Sequence, residues 1–111
     1  MKESAVERHL NTRVKGCGGV TRKWTSPGHA GVEDRICFFQ LGELWFIEVK
    51  QQGKLPNDAQ WREIMLQRNM GHNAGYLAGE HEVDAFIFSQ DRETWMTQHV
   101  QKCPEEWKEW S

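Results

Sequence analysis

The chain reads as an α/β protein: a helix, three strands, a crossover helix and a fourth strand, giving a mixed four-stranded sheet flanked by helices. Three observations carry this reading: an apolar stripe at helical spacing near the N-terminus, a period-two pattern over residues 44–50, and a second helical segment opened by Pro56-Asn57-Asp58. With 111 residues, 38% of them hydrophobic, one core of ordinary size can form and no second domain is required.

The first element covers residues 4–15, where Val6, Leu10 and Val14 fall on one helical face and Gly16 with the Gly18-Gly19 pair ends the run. Ser4 and Glu7 fit a capping box that would start this helix. Val20 to Trp24 follows as a first strand and Ile36 to Phe39 as a second, with Gln40-Leu41-Gly42 a three-residue hairpin loop whose glycine suits a left-handed conformation. The third strand is Leu44 to Lys50, with Trp45, Ile47 and Val49 on one face and Leu44, Phe46, Glu48 and Lys50 on the other. A helix from Pro56 to Met70, stopped by Gly71, carries Trp61, Ile64, Met65 and Arg68 along one side. Ala74 to Ala78 is a short fourth strand, Glu82 to Phe88 a short helix, and Thr94 to Lys102 another. The tail from Pro104 sets Trp107 and Trp110 among charged residues with little core of their own, which suggests docking on a partner subunit. Residues 1–90 are thus expected to form the domain and residues 91–111 its C-terminal helical extension.

The hairpin loop fixes a register in which Phe39 faces Glu43 and Asp34 faces Glu48. Directly opposed residues share a face with Cβ atoms about 5 Å apart, close enough for one divalent cation to bridge both carboxylates. Two carboxylates that close repel unless a metal or a proton lies between them. Mg²⁺ or Mn²⁺ suits such a site, held by Asp34, Glu48, the Val49 backbone carbonyl and water. Lys50, one strand step along, is placed to hold an attacking water or to stabilise charge developing on a phosphate. Glu-x-Lys alone is an ordinary surface pairing on a strand; Asp34 and its setting turn it into a candidate site for phosphodiester hydrolysis.

Around that site stand Arg22-Lys23-Trp24, the loop to Gly31-Val32-Glu33-Asp34-Arg35, then Glu48-Val49-Lys50, Gly53-Lys54-Leu55 and Gln60. In this order the sequence resembles the VRR-NUC branch of the PD-(D/E)xK nuclease superfamily, over roughly residues 3 to 88. The resemblance implies a restriction-endonuclease-like α-β-β-β-α-β core and a divalent-metal-dependent, structure-selective DNA endonuclease. It implies also that stand-alone phage or bacterial proteins of this type act as homodimers on four-way (Holliday) junctions; a flap or nicking nuclease, or a non-catalytic DNA-binding module on the same fold, are the alternatives. It further implies a glutamate on the first helix, for which Glu3 is chosen over Glu7 because it lies three residues before the first apolar helix position while Glu7 has the cap to explain it. Gln60 would orient water or phosphate. Glu33 stands where this family usually has proline, leaving the expected metal ligands intact. The catalytic set is therefore Asp34, Glu48, Lys50, Glu3 and Gln60.

The net charge of −2 hides an uneven distribution: residues 1–35 carry seven Lys or Arg against four Asp or Glu, and residues 51–111 six against ten. The basic half holds the candidate site, so Arg22, Lys23, Arg35 and Lys54 are expected to contact DNA phosphates, with His29 in the loop before Asp34. Cys17, Cys37 and Cys103 are odd in number and dispersed, which argues for reduced thiols and against zinc. The six tryptophans are expected mainly in the core or an interface, with stacking on unpaired bases the other use. No apolar run is long enough to span a bilayer and the N-terminus lacks a signal peptide's apolar region, so an intracellular protein is expected, cytoplasmic or nucleoid-associated and of bacterial or phage origin as the resemblance implies.

Overall fold

Helix α1 spans Glu3–Gly16, and Val6, Leu10 and Val14 are fully buried along it. The expected Ser4–Glu7 capping box does not form: the helix starts at Glu3, behind Lys2, with no side-chain cap. Glu7 instead pairs with the Arg35 guanidinium, and a charge-assisted pair outweighs a neutral cap. The computed structural model describes residues 2–31 and 34–108. The Glu33 substitution and Trp110 lie outside the described residues.

The sheet runs β1 (Val20–Lys23), β2 (Arg35–Phe38), β3 (Leu44–Lys50) and β4 (Ala74–Ala78) in that spatial order. The first two pairings are antiparallel and the third is parallel, its crossover made by α2 (Asp58–Asn69). Phe38 faces Leu44 and Arg35 faces Ile47, with Phe39 N–H donating to the Glu43 carbonyl at 2.8 Å, which is the expected register. In the turn, Leu41 joins Gly42 in the left-handed region, at φ 63° and 79°. Two successive positive φ angles match the twist of the flanking strands, and the fully exposed Leu41 side chain meets nothing that would forbid them.

Trp45, Ile47 and Val49 are buried as alternation requires. Trp45 meets Phe86 of α3 (Gly79–Ile87) edge-on, ring centroids 5.0 Å apart. This helix starts three residues ahead of the expected Glu82, because the Glu82 carboxylate reaches back to accept the Ala78 N–H at 2.8 Å and secures the preceding turn. Gly75 of β4 lies so close to Met96 of α4 (Arg92–His99) that a Cβ would collide with its sulfur. Asp91 caps α4 through the Thr94 N–H, and the segment expected as one helix to Lys102 tightens into a 3-10 turn over Val100–Lys102.

Helix α5 (Glu105–Lys108) corrects the reading of the tail. Trp107 packs on its own chain: its Nε1 donates to Asp58 Oδ1 at 3.3 Å and the Arg62 guanidinium stacks 4.9 Å from its ring centre. The first turns of α2 offer the acceptor and the cation that an amphipathic indole needs. Met96, Val100 and Cys103 join the same apolar cluster as α1 and α3. The cysteines are free thiols, Cys17 exposed and the other two buried, and burial pushes Cys37 up to about 12.

Candidate active site

The candidate site forms where β2 begins and β3 ends. Trp24 N–H donates to the Asp34 carbonyl at 2.8 Å, so the β1–β2 ladder continues one pair past Lys23 and fixes the Asp34 backbone. Extending the β2–β3 register by one pair sets Asp34 across from Glu48. The Asp34 carboxylate accepts a long hydrogen bond, 3.4 Å, from Val49 N–H. Because the N–H and C=O of a strand residue turn to the same side, the Val49 carbonyl also faces the Asp34 side, beyond the last β2–β3 pair.

Glu3, in the first turn of α1, brings a third carboxylate. One oxygen each from Glu3, Asp34 and Glu48 lies within 4.8 Å of the others. The group is graded from solvent to core, with Glu3 exposed, Asp34 half-buried and Glu48 2% exposed. Burial, reinforced by the hydrogen bond and the charge of Asp34, pushes the Glu48 carboxyl up to about 9, and the Lys50 ammonium only partly offsets this. Glu48 Oε1 is buried without a hydrogen-bond partner among the described residues. Glu7 stays outside the group, since its pairing with Arg35 ties α1 to the start of β2, next to Asp34.

Lys50 is half-buried, on the Glu48 face of β3 and beside Ala78 of β4, and no ion pair among the described residues engages it. Gln60 is the third helical residue in a capping box: its Oε1 accepts from Asn57 N–H and its own N–H donates to Asn57 Oδ1, both at 2.9 Å. The structure thus gives the Gln60 side chain a local task. The loop toward Asp34 touches that end of α2 closely, for Gly31 has φ +89° and a Cβ on it would collide with the Ala59 carbonyl. His29 is exposed, with Nε2 3.2 Å from Glu63 Oε2. Lys23 is the cross-strand partner of Arg35, Arg22 is exposed on β1, and Lys54 is exposed in the turn after β3.

So Glu3, Asp34 and Glu48 meet, Lys50 stands one step along, and the five expected DNA contacts are spread over β1 (Arg22, Lys23), the loop before β2 (His29), β2 (Arg35) and the turn after β3 (Lys54). The sequence reading missed the Glu7–Arg35 tie. Its signal was available in the register, which puts Arg35 on the face opposite to Asp34, toward α1. Among the described residues no helix is long and apolar enough to cross a membrane.

No family model matches the chain. It is similar to "Putative nuclease p44" of Acyrthosiphon pisum secondary endosymbiont phage 1, 36% identical over 72 residues that make up 65% of this chain and 77% of that protein. It is similar also to a solved structure described as a VRR_NUC domain, with a TM-score of 0.75 and 29% identity over 80% of this chain and 97% of that one. The likeness to the phage protein covers most of its length, the structural likeness covers four-fifths of this chain and nearly all of the other, and the chain belongs to the VRR-NUC family of nucleases.

Proposed function

We propose that the protein is a divalent-metal-dependent, structure-selective endonuclease that hydrolyses DNA phosphodiester bonds and, as an intracellular homodimer, resolves four-way junctions. The observation that carries the chemistry is the meeting of the Glu3, Asp34 and Glu48 carboxylates within 4.8 Å. The donor set fits Mg²⁺ or Mn²⁺: the oxygens are hard, and the buried, unpartnered Glu48 Oε1 is a site that a cation would satisfy. Glu48, Asp34, the Val49 carbonyl and, from the helix side, Glu3 would hold it. When bound, such an ion supplies an acidified water and charge neutralisation at the phosphate.

The chain's own groups supply the rest. Lys50 presents an ammonium to a phosphate oxygen or to the attacking water, where negative charge grows in the transition state. Gln60 keeps its amide N–H₂ for a phosphate while its carbonyl serves the cap. Arg22, Lys23, His29, Arg35 and Lys54 position the backbone without reading bases. Contacts made by cations to phosphates carry no base readout, which favours recognition of branch shape. Two equivalent strands of a junction ask for two equivalent active sites, which a C2 dimer provides.

The test is cleavage of a labelled immobile four-way junction beside linear duplex and flap controls, with Mg²⁺, Mn²⁺ or EDTA, for wild type and Lys50→Ala. Symmetric nicks confined to the junction, lost with EDTA and in the variant, are expected. Equal cutting of flaps or linear duplex would leave a nuclease but remove junction resolution; junction binding with no cutting under any condition would favour a non-catalytic module.

A further inference from the structure

A cleft of about 380 Å³ opens between the C-terminal half of α1 and the edge strand β1, lined by Asn11, Lys15, Val20, Thr21, Arg22 and Arg35 among others. Its lining holds three cations and no carboxylate. Lys15 and Arg22 are exposed, and neither joins an ion pair among the described residues. Thr21 Oγ1 donates to Asn11 Oδ1 at 2.6 Å, which fixes the Asn11 amide and leaves its N–H₂ as a donor. Arg35 has a buried Nε with no hydrogen-bond partner, although Glu7 holds another of its nitrogens.

Two elements, α1 and β2, join the cleft to the carboxylate cluster. Arg35 follows Asp34 directly, and Glu7, its partner, stands one helical turn from Glu3. Lys15 marks the other end. It is twelve residues beyond Glu3 on α1, roughly 18 Å along the axis. One strand of a duplex carries a phosphate every ~3.4 Å of axis, so that length matches about five nucleotides.

We infer that this cleft carries the DNA strand flanking the scissile phosphate, with Lys15 and Arg22 on successive phosphates and Arg35 where the strand turns into the cluster. The inference rests on the nuclease reading above and adds the path of the substrate and two residues, Lys15 and Asn11, outside the catalytic set. A run of phosphates suits the cleft because it is open and its charged lining is wholly cationic, with no apolar enclosure for a small molecule.

The experiment measures binding of a fluorescein-labelled four-way junction, with Ca²⁺ in place of Mg²⁺, to wild type, Lys15→Glu, Arg22→Glu and Lys102→Glu, over a range of salt. Lys102 is exposed on the far 3-10 turn and gives the same change in net charge. Lys15→Glu and Arg22→Glu are each expected to weaken binding about tenfold at moderate salt and to lower the slope of log K against log salt by about one, with Lys102→Glu near wild type. If Lys15→Glu binds like Lys102→Glu while wild type cleaves with Mn²⁺, the cleft does not carry the strand and the nuclease reading stands. If wild type neither binds nor cleaves, both fall together.

Discussion

Glu48 is where burial and chemistry meet most sharply. In the unfolded chain its carboxyl ionises near the ordinary 4.5, and in the folded metal-free protein only near 9. Across that interval the folded state holds the extra proton, so Glu48's contribution to stability is fully present below about 4.5, declines as pH rises and is gone above about 9. Glu48→Gln keeps the shape and removes the titration. The metal-free variant is therefore expected to melt above wild type by a margin that widens from about pH 5 to about pH 8, on the order of 2 kcal/mol. Adding Mn²⁺ at the upper pH should raise the wild-type melting temperature and leave the variant's nearly unmoved. Parallel melting curves across pH, or equal metal response, would show that the carboxyl is not held neutral. The same residue shows what the sequence could disclose. Alternation and a three-residue loop were enough to set Glu48 against Asp34, since a slip of one residue would have buried Lys50 and exposed Trp45. The choice of Glu3 over Glu7 was harder, because residues four apart on a helix share a face. What separates them is the reach of Arg35, a tertiary contact that no local pattern encodes.

At the scale of elements, the loop before β2 is held to α2 by contact rather than by regular structure. Gly31 combines φ +89° with a position where a Cβ meets backbone, whereas Gly28, at φ +81°, has open space around it. Gly28→Ala carries only backbone strain, about 1 kcal/mol. Gly31→Ala adds a collision with the Ala59 carbonyl and is expected to cost about 2 kcal/mol more and to cut metal-dependent cleavage, because it pushes the Asp34 loop off α2. Equal losses of melting temperature in the two variants would refute this account. The tail offers a second comparison. Trp107 is engaged by Asp58 and Arg62, so Trp107→Ala should lower stability by about 1 kcal/mol without changing the mass measured by light scattering. A fall in mass would restore the tail to the subunit interface. The sequence misled over Trp107 for an identifiable reason: a tryptophan among charges looks unpartnered until α2 is placed, and its acceptor and cation lie some fifty residues upstream. The starts of α1 and α3 moved for two different reasons: Glu7 is drawn from the cap by the distant Arg35, whereas Glu82 reaches only four residues back to the Ala78 N–H.

For the whole molecule, a net charge of −2 and a proposed polyanionic substrate are reconciled by distribution, since three cations line one cleft beside a carboxylate cluster that a divalent ion would neutralise. One such face serves one strand. Junction resolution needs two, and the second must come from a second copy, because among the described residues a single acidic cluster of this kind is found. Active and inactive subunits can then be mixed. If paired incision requires both sites of a dimer, allowing wild type to exchange with excess Lys50→Ala should convert resolved duplexes into junctions carrying one nick, in proportion to the heterodimer fraction. Independent monomers would behave otherwise: the variant would dilute the rate, while the ratio of paired to single incisions on each resolved junction stayed at the wild-type value. Denaturing gels that score both strands of each junction separate these cases, and an unchanged ratio after verified exchange would remove the homodimer from the proposal while leaving the hydrolytic site as it is.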